Sequence, residues 1–123
     1  MFHRLFFHKA YENLHALIGL PPQQPAISTD VMTKILLTGT MRCDAHEVDA
    51  VVSLMAKHER LSLAEAGCLS FELWQDELDP RIFHVSEVFR SERDFEIHQD
   101  RTHSSDWGRV TRHMPRDFIK SPA

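Results

Sequence analysis

Residues 65–98, EAGCLSFELWQDELDPRIFHVSEVFRSERDFEIH, decide the architecture of this chain. Two runs rich in aromatic and β-branched residues, Cys68 to Gln75 and Ile82 to Phe89, flank a polar break from Asp76 to Arg81. The Asp79-Pro80 step in that break favours a turn over a helix, so the runs predict a β-hairpin. Ser91 then stands three residues before Asp94, an N-cap followed by an acidic first turn. A helix starting there carries Phe95 and His98 on one side.

On the N-terminal side of the hairpin, Lys34 to Arg42 is apolar on both parities at its start, as in an inner strand covered on both faces. Gly39 within it predicts a bulge or space left for something lying against the sheet. Asp44 and Glu47 form a capping-box pair, and Val48, Val51, Val52 and Met55 follow at helical spacing. The pattern predicts a helix from about His46 to Leu63, with His58 on the flank of its apolar stripe. Beyond the hairpin, Trp107, Val110 and Met114 resume helical spacing until Pro115, and Asp117 to Lys120 has room for a short edge strand. The order is β-α-β-β-α-β, an α+β ferredoxin-like unit over residues 34–123. Residues 1–19 predict an added amphipathic helix through Phe7, Ala10, Tyr11, Leu14, Leu17 and Ile18, tied on by a Pro-rich linker over residues 20–33.

With 14 basic and 18 acidic residues, a net charge of −4 and no clustered Lys/Arg run, the chain carries no phosphate-backbone footprint, so nucleic acid is not an expected partner. Charged residues interrupt the apolar positions of the first segment and no stretch reaches membrane-spanning length, so no membrane span is expected. Cys43 and Cys68 cannot form a Cys-x-x-Cys pair, and with the third strand between the first and second they fall at opposite ends of the sheet. Both read as buried thiols in a reducing cytoplasm.

A sheet with helical segments on one side leaves its other face bare, yet the strands offer apolar residues on both parities: Leu36, Trp74 and Val88 oppose Leu37, Leu73 and Phe89. A homodimer contact between two such faces covers both with one self-complementary surface. The N-terminal helix folding back over that face is the other way to cover it.

The step Glu65-x-Gly67-Cys68-Leu69 into the second strand, the Asp79-Pro80 hairpin, the Glu87-x-Phe89 exit of the third strand, and then His98 and Trp107, resemble in that order the antibiotic biosynthesis monooxygenase domain family, which includes quinol monooxygenases. The resemblance covers about Lys34 to Met114 and implies a ferredoxin-like fold that dimerises into an α+β barrel. It also implies oxygenation of electron-rich aromatics with no cofactor: no flavin, heme or metal. Heme-degrading proteins share that barrel, but their pattern of a first-strand Asn and a Trp ahead of an axial His is not met here, where Trp107 follows His98.

Such chemistry draws electrons from the substrate, a small aromatic that meets dioxygen once deprotonated, and it needs a near-neutral base, oxyanion donors and a dry pocket. His98 is the preferred base. Glu87 shares strand parity with Phe83, Val85 and Phe89, and a carboxylate on an apolar face needs a partner, so a Glu87–His98 pair orients and activates the imidazole. Trp107, Phe95, His58 and Phe71 are the candidate substrate-binding residues. His84 has the opposite parity and belongs to the other sheet face, and His103 is a further imidazole in the middle of the domain. Arg42 and Arg90, near strand ends, are candidates for interface ion pairs or for neutralising an anionic substrate. No His-x-x-x-His pair occurs on a predicted helix, so no metal site is expected. The same residues also suit a non-catalytic dimeric barrel that binds a small aromatic or serves in assembly, in which Glu87 and His98 only satisfy each other.

Overall fold

The computed structural model describes residues 4–8 and 33–123. Its elements are β1 (Arg4–His8), β2 (Ile35–Arg42), a 3-10 turn (Ala45–Glu47), α1 (Val48–Leu63), β3 (Cys68–Gln75), β4 (Ile82–Phe89), α2 (Glu92–Ser104), α3 (Asp106–Thr111) and β5 (Arg116–Pro122). The strands form one antiparallel sheet in the order β1-β3-β4-β2-β5. Removing β1 leaves the four-stranded ferredoxin-like arrangement, with β4 between β2 and β3.

The hairpin lies where the residues predict it. Asp76 closes its turn by accepting from the backbone N–H of Leu78 and Asp79, both at 3.0 Å, and Asp79 accepts from Arg81 N–H at 3.0 Å. Strict alternation follows on β4, where Phe83, Val85, Glu87 and Phe89 are buried and the residues between them are half-exposed. The buried parity joins Ile35, Leu37 and Met41 of β2 with Phe71 and Leu73 of β3 under the helices. Phe71, Phe83 and Phe89 are wholly buried, each worth about 1.5–3 kcal/mol by transfer from water.

The helices are fixed at their starts. Glu47 accepts from Asp44 N–H at 2.9 Å ahead of α1, and Ser91 Oγ accepts from Asp94 N–H at 3.1 Å to cap α2. Two glycines set close approaches. A Cβ on Gly108 would lie 2.0 Å from the Thr102 carbonyl oxygen, so only glycine lets α3 abut the end of α2. Gly39, at φ 150°, would carry a Cβ 2.0 Å from the Asp117 carbonyl oxygen and 2.8 Å from Phe118. The space predicted beside Gly39 is thus filled by β5, which runs from Arg116 to Pro122 and is longer than the short strand expected at 117–120.

At the N-terminus the helix predicted over residues 1–19 is corrected at Arg4–His8, which form a strand antiparallel to β3 with Arg4 opposite Trp74 and His8 opposite Ser70. The remainder of that segment and the linker predicted over 20–33, Thr33 apart, lie outside the described residues. A run Leu5-Phe6-Phe7 suits a pleated strand as well as a helix, and the open hydrogen-bonding edge of β3 decides between them. Cys43 and Cys68 are both buried, as predicted. No helix among the described residues is long and apolar enough to cross a membrane.

Candidate active site

A cavity of about 280 Å³ opens between the sheet, α2 and α3. Its inner wall is built by Leu37, Leu73, Val85, Glu87, His98 and Trp107. His98 reaches it because the Ser91 cap fixes the rotation of α2, which leaves His98 only 2% exposed and facing β4.

His98 stands between two carboxylates. Its Nδ1 lies 3.1 Å from both oxygens of Glu65, in the turn before β3, and its Nε2 lies 3.5 Å from Glu87 Oε1 and 3.3 Å from Thr102 Oγ1. An ionised carboxylate only accepts, so the Glu65 contact places a ring proton on Nδ1; in the neutral ring the Nε2 lone pair then faces Glu87 and the cavity. Glu65 is itself held: Arg101 Nε donates to its Oε2, and Arg101 Nη2 donates to Ser62 Oγ at 3.0 Å. Burial pushes the Glu65 carboxyl up, but the hydrogen bonds and charge of His98 and Arg101 outweigh it and hold the group below its ordinary range.

Glu87 behaves in the opposite way. Burial pushes its pKa up to about 7, with the Glu65 charge adding to the rise and His98, Arg116 and Arg101 opposing it. Its Oε1 has no hydrogen-bond partner among the described residues, and neither does His58 Nδ1. Burial, reinforced by the charges of His98, Arg101 and Arg116, lowers the His58 pKa to about 2, so His58 is a neutral ring. It stacks on Trp107 at a centroid distance of 4.7 Å and an interplanar angle of 2°. Two unpaired buried polar atoms in residues lining one cavity are handles for a bound molecule.

The cavity therefore brings together four of the six residues predicted for the site: His98, Glu87, Trp107 and His58. The Glu87–His98 contact exists, although Glu65 is the closer partner. Phe71 sits behind the site, edge-on to His58 at 5.3 Å, and does not line the cavity. Phe95 packs against Phe89 at 5.6 Å and likewise lies off the cavity. It shares the inward side of α2 with His98 but stands one turn earlier, packed at the end of the sheet beyond the cavity. His84 is on the other face, stacked on Trp74 and 2.8 Å from Asp76, while His103 lines the cavity. Arg42 meets Asp79 and Arg90 meets Asp94, neither at the cavity.

The sequence profile described as antibiotic biosynthesis monooxygenase matches residues 35–110, which span β2 to α3 and hold Glu65, Glu87, His98 and Trp107. This chain belongs to the antibiotic biosynthesis monooxygenase family. Solved structures of the family fold agree. A conserved Bacteroides thetaiotaomicron protein described as a possible oxidoreductase is similar at TM-score 0.66 and 14% identity, covering 75% of this chain and 99% of its own. A Nitrosomonas europaea protein described as a candidate antibiotic biosynthesis monooxygenase gives 0.65 and 18%, covering 73% and 89%. A Pseudomonas aeruginosa protein gives 0.61 and 25%, covering 74% and 92%. No curated protein matches.

In this family member the polar groups at the cavity can accept a proton at His98 Nε2, exchange one at Glu87, and enclose a flat ring beside the His58–Trp107 stack. Away from the cavity, ligand atoms of Asp44, His46 and Glu47 lie within 4.8 Å of one another at the surface. Glu47 there is already engaged by Asp44 N–H and by His113 at 2.7 Å.

Proposed function

We propose that this chain is a cofactor-independent monooxygenase acting on a quinol or polyphenolic small molecule. The observation that carries the reading is the buried His98, held at Nδ1 by Glu65 on one side and turned toward Glu87, Thr102 and the cavity on the other. His98 Nε2 takes a proton from a bound phenolic hydroxyl, and the resulting phenolate, held in the cavity beside the His58–Trp107 stack, passes electrons to dioxygen. Oxygen adds at a ring carbon. Glu87, half protonated near neutral pH, returns a proton as the peroxide O–O bond breaks. A hydroquinone and dioxygen thus give a hydroxylated quinone and water, with the substrate supplying all the electrons.

Homodimerisation through the second sheet face is part of this reading. Leu36, Trp74, His84 and Val88 are half-exposed on the face away from the helices, and pairing two copies covers them. A sedimentation mass of one chain, 14.3 kDa, at micromolar concentration would contradict it. The two buried cysteines fit a reducing, cytoplasmic setting. Oxygen uptake by the metal-stripped protein across a panel of hydroquinones tests the activity. The expected result is protein-dependent consumption that falls by about 10²-fold or more in His98→Ala.

A further inference from the structure

The charge lining the cavity runs against the charge of the chain. The sequence carries a net −4, yet Arg112 and Arg116 both line the cavity, where Glu87 is the one acidic residue. Burial holds that carboxylate near half ionisation at neutral pH. Several cations elsewhere are matched: Arg42 and Arg81 meet Asp79, Arg90 meets Asp94, Arg101 meets Glu65, and Lys120 meets Glu92. Arg112 and Arg116 have no carboxylate partner among the described residues.

Each is instead held in place by neutral groups that leave donors over. Arg116 gives Nη1 to the carbonyls of Thr111 and Met114 at 2.7 and 3.2 Å and Nη2 to Thr111 Oγ1 at 2.8 Å, so its Nε–H and one Nη2–H remain. Arg112 gives Nε to the Gly108 carbonyl at 3.3 Å and Nη2 to the His103 carbonyl at 2.9 Å, so both Nη1 protons remain. The Arg116 residue is exposed, but its guanidinium lies 5.9 Å from the Phe118 ring centroid and against helix-end carbonyls, where burial lowers its pKa against the opposing charge of Glu87. Two guanidinium groups fixed in orientation, with spare N–H donors and only the partly ionised Glu87 to oppose their charge, form a receptor for an oxyanion.

From this juxtaposition we infer that the substrate is an acidic aromatic, a phenol or hydroquinone bearing a carboxylate, whose anion is held at the cavity mouth by Arg112 and Arg116 while its hydroxyl faces His98. The inference rests on the cavity being the substrate site, and it names the substrate class. Arg112 and Arg116 are binding and specificity residues that act at the end of the molecule remote from the proton transfer.

Anaerobic calorimetry with gentisate and its methyl ester tests this without turnover. The acid should bind about tenfold or more tightly than the ester, the gain of a charge-assisted contact. That preference should shrink several-fold in Arg112→Gln, be retained in Arg112→Lys, and weaken with added salt. Arg116→Gln should act alike; because Arg116 also caps helix-end carbonyls, its circular dichroism and the Arg112 pair guard against misreading a folding defect. Equal affinity for acid and ester, no binding of either, or a preference that survives both arginine substitutions would each overturn the proposal. Oxygen uptake with the ester reports separately on the monooxygenase reading, so the two can fail independently.

Discussion

Replacing Glu87 by Gln keeps the shape of the side chain and removes its titration, which the structure makes costly. A glutamate ordinarily ionises near 4.5 and Glu87 is raised to about 7 by burial. Between those values the folded state holds a proton that the unfolded state has released, so native stability falls as pH rises. Taking 1.36 kcal/mol per pKa unit, keeping Glu87 buried costs about 1 kcal/mol at pH 5 and about 3 kcal/mol at pH 8. Urea denaturation of the wild type and Glu87→Gln at both pH values isolates this, because titrating groups away from Glu87 cancel in the difference. The stability advantage of the variant should grow by about 2 kcal/mol from pH 5 to pH 8. A difference that stays flat within about 0.5 kcal/mol would show that Glu87 ionises as an ordinary carboxylate and would refute the burial argument. The stabilised variant should also turn over more slowly, since it has lost the proton returned to the peroxide.

Other substitutions probe the remaining parts of the site. His58, lowered to about 2 by burial, stays neutral when folded, so its own contribution to stability should fall as pH drops below about 6.5, by up to about 1.4 kcal/mol per unit and against the Glu87 trend; His58→Phe, which keeps the stack on Trp107, should gain stability over the wild type by that slope in acid denaturation curves. Glu65→Gln should lower kcat/KM about 10- to 100-fold and alter the His98 ring-nitrogen shifts in NMR spectra, because the anion that fixes the Nδ1 proton is gone. Gly108→Ala should cost about 1–3 kcal/mol through the clash with the Thr102 carbonyl, seen as a lowered Tm.

The hairpin, the two N-caps and the inward parity of β4 were legible because each is set by residues a few positions apart: Asp76 with Asp79, Asp44 with Glu47, Ser91 with Asp94. Glu87 could be placed for the same reason, since alternation along one strand puts it among buried apolar neighbours. The better partner of His98 was not legible. Glu65 lies 33 positions away in a turn whose direction depends on how α1 and β3 pack, although a carboxylate just ahead of the strand that begins at Cys68 was a usable signal. Phe95 shares the inward side of α2 with His98 but stands one turn nearer the helix start, packed on Phe89, while Thr102 one turn further on lines the cavity; which turn meets the cavity is set by the fold and not by the helical period. Arg112 and Arg116 come from a helix end and an edge strand that meet only in the folded chain. The strand at Arg4–His8 escaped a reading by helical period because its pairing edge is supplied from far along the sequence.

The most direct test follows the oxygen atoms. Incubating the protein with a hydroquinone under isotopically labelled dioxygen should place one labelled atom in the quinone product and the other in water, at a rate well above the spontaneous one and about 10²-fold lower in His98→Ala. An unlabelled product, or labelling that proceeds equally fast without the His98 imidazole, would contradict the account.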